Sequence, residues 1–132
     1  MKTIAPLWAR IIVGLFGLVF VVSSLVSGGF TPPGMSTDTS APLSAGYVYN
    51  SRNAALGVAM LIAAGFGAPE AIAAVMVARF ILEITDRVAM SPLYPSITLG
   101  NLLSPLIPGL IELSISIVML RIIFKKIGTT NV

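Results

Sequence analysis

Long apolar runs separated by short polar intervals organise this chain. Four of them, residues 7–28, 47–66, 69–90 and 106–124, have the roughly 17–25 residues that a helix needs to cross a bilayer. The first carries Trp8 and Arg10 near its start, where an indole suits the headgroup level and a guanidinium can snorkel outward. Its apolar stretch exceeds the roughly 7–15 residues of a signal-peptide core. We therefore expect it to be retained as a first membrane helix.

The second and third runs are separated only by "GFGAP", which predicts a tight antiparallel hairpin. Pro69 and Glu70 occupy positions suited to a helix start, since proline there loses no bond and an acid favours the positive end of the dipole. Ala54, Ala55, Gly57, Ala59, Ala63 and Ala64 are expected to face Ala71, Ala73, Ala74 and Ala78 across the hairpin, because small residues let backbones approach in lipid.

Two intervals break the pattern. "FTPPGMSTDTSAPLSAGYVYN" contains Pro32, Pro33 and Pro42, which exclude a continuous helix, so a long loop is expected there, able to fold over the mouth of the bundle. "SPLYPSITLGNLLSPLIPG" carries Pro92, Pro95, Pro105 and Pro108 and reads as a broken connector, with room for a short interfacial helix between the prolines. No internal repeat is evident.

Composition turns this pattern into a class. Of 132 residues, 56% are hydrophobic and 10% charged, against about 25% charged in soluble domains. The expected fold is an all-α integral membrane four-helix bundle, a single domain over residues 1–132. Cysteine and histidine are both absent, which removes disulfides, thiol chemistry, thiolate or imidazole metal sites, His-ligated haem and histidine-based triads. No metal and no cofactor is expected.

The net charge of +3 does not indicate nucleic acid, because the basic residues form no patch interleaved with aromatics. They lie at the ends of apolar runs: Lys2 and Arg10 toward one terminus, Arg121, Lys125 and Lys126 toward the other. An even number of spans places both termini on one side, and the positive-inside rule makes that side cytoplasmic. The expectation is N-in, C-in, with a long extracytoplasmic loop between the first two spans in which Asp38 is the only charge.

Against this background "VARFILEITDR" is anomalous, with Arg79, Glu83, Asp86 and Arg87 inside an apolar run. At about 1.5 Å rise per residue, Arg79 lies roughly 15 Å from the helix start, near mid-bilayer. Arg79, Glu83 and Asp86 are spaced i, i+4, i+7 and share one face, while Arg87 turns toward the outer headgroups. On the second span Arg52 and Asn53 reach a similar depth to Glu83 and Asp86, and so does Glu112 on the fourth. A charge facing lipid at mid-bilayer costs about 2.5–3.5 kcal/mol on insertion scales, so these groups are expected to meet inside the bundle, in the outer half of the membrane. Arg52, Asn53, Arg79, Glu83, Asp86 and Glu112 are the candidate ligand- or proton-binding residues; none is assigned a catalytic role. The competing reading is an ion-pair network that locks helix register. Tyr47, Tyr49, Tyr94 and Trp8 read as interfacial aromatics, and Met60, Met76, Met90 and Met119 as apolar filling.

"SRNAALG" and "ARFILEITD" resemble motifs of DoxX-like small four-helix membrane proteins. Arg52, Asn53 and Gly57 match an Arg-Asp/Asn-x-x-x-Gly pattern on helix two, and Ala78, Arg79 and Asp86 an Ala-Arg…Asp pattern on helix three. The resemblance implies a multi-pass protein of the bacterial inner membrane. Thiosulfate or thiol redox work, linked to some of those relatives, does not transfer to a chain without cysteine, and no quinone or haem site is evident.

Three functions remain open. The first is a ligand-binding or accessory subunit of a membrane complex, whose partners are the bilayer and other membrane subunits or further copies of the chain. The second is a proton- or solute-coupled transporter with Glu112 or Glu83 as carrier. The third is a membrane enzyme acting on a lipophilic substrate through Glu83, Asp86 and Glu112, although no motif points to a reaction.

Overall fold

A computed structural model describes residues 3–26, 43–90 and 99–130, and their regular structure is entirely α-helical. The helices are α1 (Leu7–Val26), α2 (Leu43–Phe66), α3 (Pro69–Met90) and α4 (Leu99–Thr130). Two helices, α1 and the Leu106–Gly128 part of α4, are long and apolar enough to cross a membrane. The loop expected around Asp38, the Pro92–Pro95 connector with Tyr94, and Lys2 lie outside the described residues.

Helix α4 departs from the sequence expectation. Pro105 and Pro108 do not break it; the helix begins at Leu99 and continues through both. Each proline removes one rung of the hydrogen-bond ladder. Such losses are tolerated in membrane helices, where neighbouring groups re-satisfy the freed carbonyls. Helix α2 likewise starts at Leu43, a turn earlier than its apolar run.

Three contacts fix the relative direction of the helices. The Ala5 N–H donates to the Gly67 carbonyl at 2.8 Å, which joins the approach to α1 to the end of α2. The side chain of Arg10 donates from Nε to the Ala64 carbonyl at 2.8 Å and from Nη2 to the Gly65 carbonyl at 3.0 Å. At the far side of the same end, Lys126 of α4 approaches Glu70 of α3 at 4.0 Å. The starts of α1 and α3 thus lie beside the ends of α2 and α4, and consecutive helices run antiparallel.

The turn between α2 and α3 follows from local chemistry. Gly67 has φ of 65°, the left-handed conformation that side chains with a Cβ resist. Its N–H donates to the Ala63 carbonyl at 2.9 Å, which closes α2 with a left-handed C-terminal cap. That bond leaves the Ala64 and Gly65 carbonyls without helical partners, and Arg10 supplies both. Arg10 is therefore a cap on its neighbour, not the outward-snorkelling residue its position predicts; the negative end of α2 attracts the guanidinium. Pro69 opens α3 with Glu70 in its first turn, as its sequence requires. Gly67→Ala is expected to cost about 1–2 kcal/mol from the left-handed backbone alone. The added Cβ would also lie 3.0 Å from Arg10 Nε. Thermal unfolding in detergent would measure this loss.

The small residues pack differently from the expected hairpin seam. Helices α1 and α2 share the most extensive interface, α3 and α4 the next, and α2 and α3 a smaller one. Gly57 meets α1: a Cβ there would lie 2.7 Å from the Gly17 carbonyl oxygen, and a Cβ at Gly17 would lie 2.7 Å from the Gly57 carbonyl oxygen. Ala55, Ala59, Ala71, Ala74 and Ala78 are instead exposed. Two glycines allow backbone-to-backbone contact at one level, whereas alanines along a hairpin do not choose their own partner. The apolar core is built from Val13, Met60, Ile72, Met76, Ile115 and Met119.

Candidate functional site

Beside its apolar core, the burial pattern departs from that of a typical water-soluble protein in two respects. Large apolar side chains such as Leu15, Leu18, Ile81, Ile84, Leu110 and Phe124 are exposed, while Asn50, Asn53, Arg79, Glu112 and Ser116 are buried. Charged residues are almost never fully buried in soluble proteins unless paired. Here the buried polar groups come from three helices and meet in one place.

Helix α3 supplies the axis of the site. Arg79 and Glu83, one turn apart, form an ion pair in which Arg79 Nη2 donates to Glu83 Oε2. One turn further, Asp86 accepts from Arg52 Nη2 of α2. On the other side, Arg79 Nε lies 3.6 Å from Glu112 Oε1 of α4. Helix α1 adds no charge but contributes the Phe20 ring, whose centroid lies 4.5 Å from the Arg79 guanidinium carbon. A desolvated cation–π contact of this kind is worth about 2 kcal/mol. Arg79 thus faces groups from three helices: a carboxylate on its own helix, a carboxylate on α4 and an aromatic face on α1.

All six residues singled out in the sequence belong to this assembly. Asn53 joins it through Tyr49, one turn earlier on α2, with which it shares a side-chain hydrogen bond. The Tyr49 ring also lies beneath the Arg52 guanidinium, 5.4 Å from centroid to carbon. Tyr49 is therefore buried within the polar cluster and not placed among interfacial aromatics. Its i, i+3 and i, i+4 spacing to Arg52 and Asn53 was the available signal. Phe20 had none, because nothing in a helix of mixed Leu, Val and Phe distinguishes the ring that will face a charge. The side chain of Arg87, expected at the headgroups, lies outside the described residues, as does that of Tyr47.

Burial is graded along the cluster. Side-chain exposure is 31% at Arg52, 16% at Asp86 and 19% at Glu83, then 5% at Arg79 and 0% at Glu112. Arg52 and Asp86 form the more exposed rim of the cluster, and Arg79 and Glu112 its buried floor. At the floor the polar groups are incompletely satisfied. Among the described residues, both carboxylate oxygens of Glu112 and the Nε of Arg79 have no hydrogen-bond partner, and the same holds for Arg52 Nε. The 3.6 Å separation of Arg79 and Glu112 exceeds the roughly 2.7–3.2 Å of an N–H···O hydrogen bond. Ser116 is buried nearby, but its hydroxyl donates to the Glu112 backbone carbonyl at 2.8 Å and is not available to the carboxylate.

Across the cluster, two arginines stand against three carboxylates, a formal balance of 2 − 3 = −1. Each carboxylate is set against a guanidinium, and among the described residues no cluster of three or more Asp or Glu side chains has the arrangement of a metal site. No protein-family model, curated protein or solved structure matches the chain. The function therefore has to be argued from the site.

Proposed function

We propose that this is a small multi-pass protein of the bacterial inner membrane, a four-helix bundle with both termini cytoplasmic, whose interior polar cluster binds a small ligand. The observation that carries the ligand-binding reading is the floor of the cluster. Glu112 is completely buried, both of its carboxylate oxygens are without hydrogen bonds, and the facing Arg79 Nε is in the same state. An unsatisfied buried polar group costs about 1–3 kcal/mol, more if charged. A cluster whose only task was to lock helix register would be expected to close these bonds on itself, as Arg79 does with Glu83. Groups left unsatisfied at the buried end of a polar cluster suit an incoming molecule that completes them.

Membrane placement is supported by the exposed apolar surface and by charge at the helix ends. Arg10, Arg121, Lys125 and Lys126 lie toward the end of the molecule where α1 starts and α4 finishes, the distribution expected of a cytoplasmic face. The polar cluster is then in the outer half of the bilayer. Kinship with DoxX-like proteins is part of this reading, and the residues that resemble their motifs have structural roles in the bundle. The arginine of the first motif and the aspartate of the second are the partners in the Arg52–Asp86 bridge, and the motif glycine, Gly57, is the one that meets α1.

Two measurements test the proposal. The chain has no cysteine, so single cysteines introduced at Thr3, Asp38 and Gly128 can be labelled in intact cells with an impermeant maleimide. Labelling is expected at position 38 alone, and labelling at position 3 or 128 would reject the orientation. For binding, the protein is purified in detergent, stripped of lipid and heated with and without a total lipid extract of its host membrane. A ligand at about 100 times its dissociation constant stabilises by roughly 2.7 kcal/mol. That gain is expected in the natural protein and not in Glu112→Gln; an equal gain in both would remove the site from the proposal.

A further inference from the structure

The unsatisfied atoms at the floor define the chemistry of what can complete them. Glu112 presents two acceptors and Arg79 Nε one donor, and the nearest pair, Glu112 Oε1 and Arg79 Nε, are 3.6 Å apart. A group that binds there has to donate and accept within the span of a single oxygen. An ammonium can donate to Glu112, but it would stand against the Arg79 guanidinium and leave Arg79 Nε without an acceptor. A carboxylate or fully ionised phosphate can accept from Arg79, but it would stand against Glu112 and Glu83 with no proton for either Glu112 oxygen, and a singly ionised phosphate would bury a further negative charge beside them. A hydroxyl does both: its O–H donates to a Glu112 oxygen while its lone pair accepts from Arg79 Nε. Being uncharged, it also avoids the cost of burying a further ion.

The surroundings favour a hydroxyl carried on an apolar body. The floor is bounded on the α1 side by the Phe20 ring stacked on Arg79. Phe80, one residue after Arg79, packs against α4 at Gly109, one turn before Glu112. The polar rim at Arg52 and Asp86 is partly open, and the outer surface of α3 and α4 around it is apolar, with Ile84, Leu110 and Leu113 exposed. We infer that the ligand of this site is a neutral lipophilic alcohol, held by a hydroxyl that donates to Glu112 and accepts from Arg79. This rests on the ligand-binding reading above and specifies the class of molecule.

The test uses the full chain in lipid nanodiscs and a set of photoactivatable probes that share one C16 chain, with the diazirine close to the head. The heads are a hydroxyl, its methyl ether, a primary ammonium and a carboxylate, and crosslinks are mapped by mass spectrometry. The hydroxyl probe is expected to label α3 and α4 near Arg79 and Glu112, saturably, and to be displaced by unlabelled hexadecanol but not by glycerol. The methyl ether, which cannot donate, is expected to label at least about tenfold less, the loss for one hydrogen bond to a charged acceptor. Glu112→Gln is expected to lower hydroxyl labelling by a similar factor. Ile127→Ala, a change at an exposed position about four turns further along the same helix, is expected to leave it unchanged. Retained helicity and monodispersity of Glu112→Gln show that the loss is not one of folding.

Equal labelling by ether and alcohol, or unchanged labelling in Glu112→Gln, overturns the inference. Saturable labelling by the ammonium or carboxylate probe in preference to the alcohol overturns the alcohol class but leaves a ligand site at Glu112. Displacement by glycerol at the same concentration as hexadecanol overturns the lipophilic part. If none of the probes labels saturably, and the lipid extract also fails to stabilise, the ligand-binding reading falls with it.

Discussion

Arg79→Ala is expected to be the most damaging single substitution in the interior, with a loss of about 3–5 kcal/mol, the cost of stripping one partner from a buried ion pair. The reason is the number of groups that depend on this side chain. Removing it takes the nearest cation from Glu112, which is fully buried, breaks the pairing of Glu83, and leaves the Phe20 ring without its cationic partner. Glu112→Ala leaves Arg79 still paired to Glu83 on its own helix and is expected to cost less. A double variant, Arg79→Met with Glu112→Leu, places apolar side chains where both charges were and is expected to recover most of the loss, because matched apolar replacement of a buried pair is often neutral. Reversible unfolding in mixed micelles, analysed as a double-mutant cycle, would measure the coupling. Additive single effects would show that Arg79 and Glu112 do not act on each other. A double variant that is stable but no longer stabilised by lipid extract would separate the structural from the binding role of the pair.

The second large effect is expected at the crossing of α1 and α2. Gly57→Leu and Gly17→Leu should each separate these helices, because the first atom of any side chain at either position would lie 2.7 Å from a backbone oxygen of the other helix. Backbone cannot turn aside as a side-chain tip can, so the cost is set at the upper end of the roughly 1–3 kcal/mol of overpacking. Displacement of α1 would also draw Phe20 away from Arg79, so the substitution should reach the polar site without touching it. The contrasting control is Gly65→Ala, where an added Cβ meets nothing within 4 Å, and little change is expected. A disulfide crosslink between cysteines placed at Gly14 and Ala64, whose Cβ atoms would lie 3.7 Å apart, within the range a disulfide needs, would report the separation directly: lost in Gly57→Leu, retained in Gly65→Ala. Persistence of the crosslink in Gly57→Leu would mean that the glycine contact does not hold the pair together.

The comparison of these two regions explains what was readable in the chain. The polar cluster was legible because charge in an apolar run has so few acceptable positions. Depth follows from counting residues at a fixed rise, and Arg52, Arg79, Glu83, Asp86 and Glu112 were expected to meet because a charge facing lipid is costly. The glycine crossing was not legible. Gly57 is one of several small residues on α2, and no property of its neighbours says whether its partner is Gly17 of α1 or an alanine of α3. The same limit applies to Arg10, whose amphipathic side chain suits an interface but was drawn across to α2 by carbonyls distant in sequence. Tyr49 differs, because its spacing to Arg52 and Asn53 on the same helix did signal its place.

By itself, then, the amino-acid order determined the helical class, the starts of α1 and α3, and the identity of the charged groups that have to be sheltered, since these rest on local hydrophobicity, local caps and the cost of burying charge. The tertiary structure alone decided which helix faces which, that α4 runs through its two prolines, and that Glu112 and Arg79 stand opposed but too far apart to bond. Those outcomes depend on side-chain shape and on distances of a few tenths of an ångström between segments far apart in the chain, and no linear pattern encodes them.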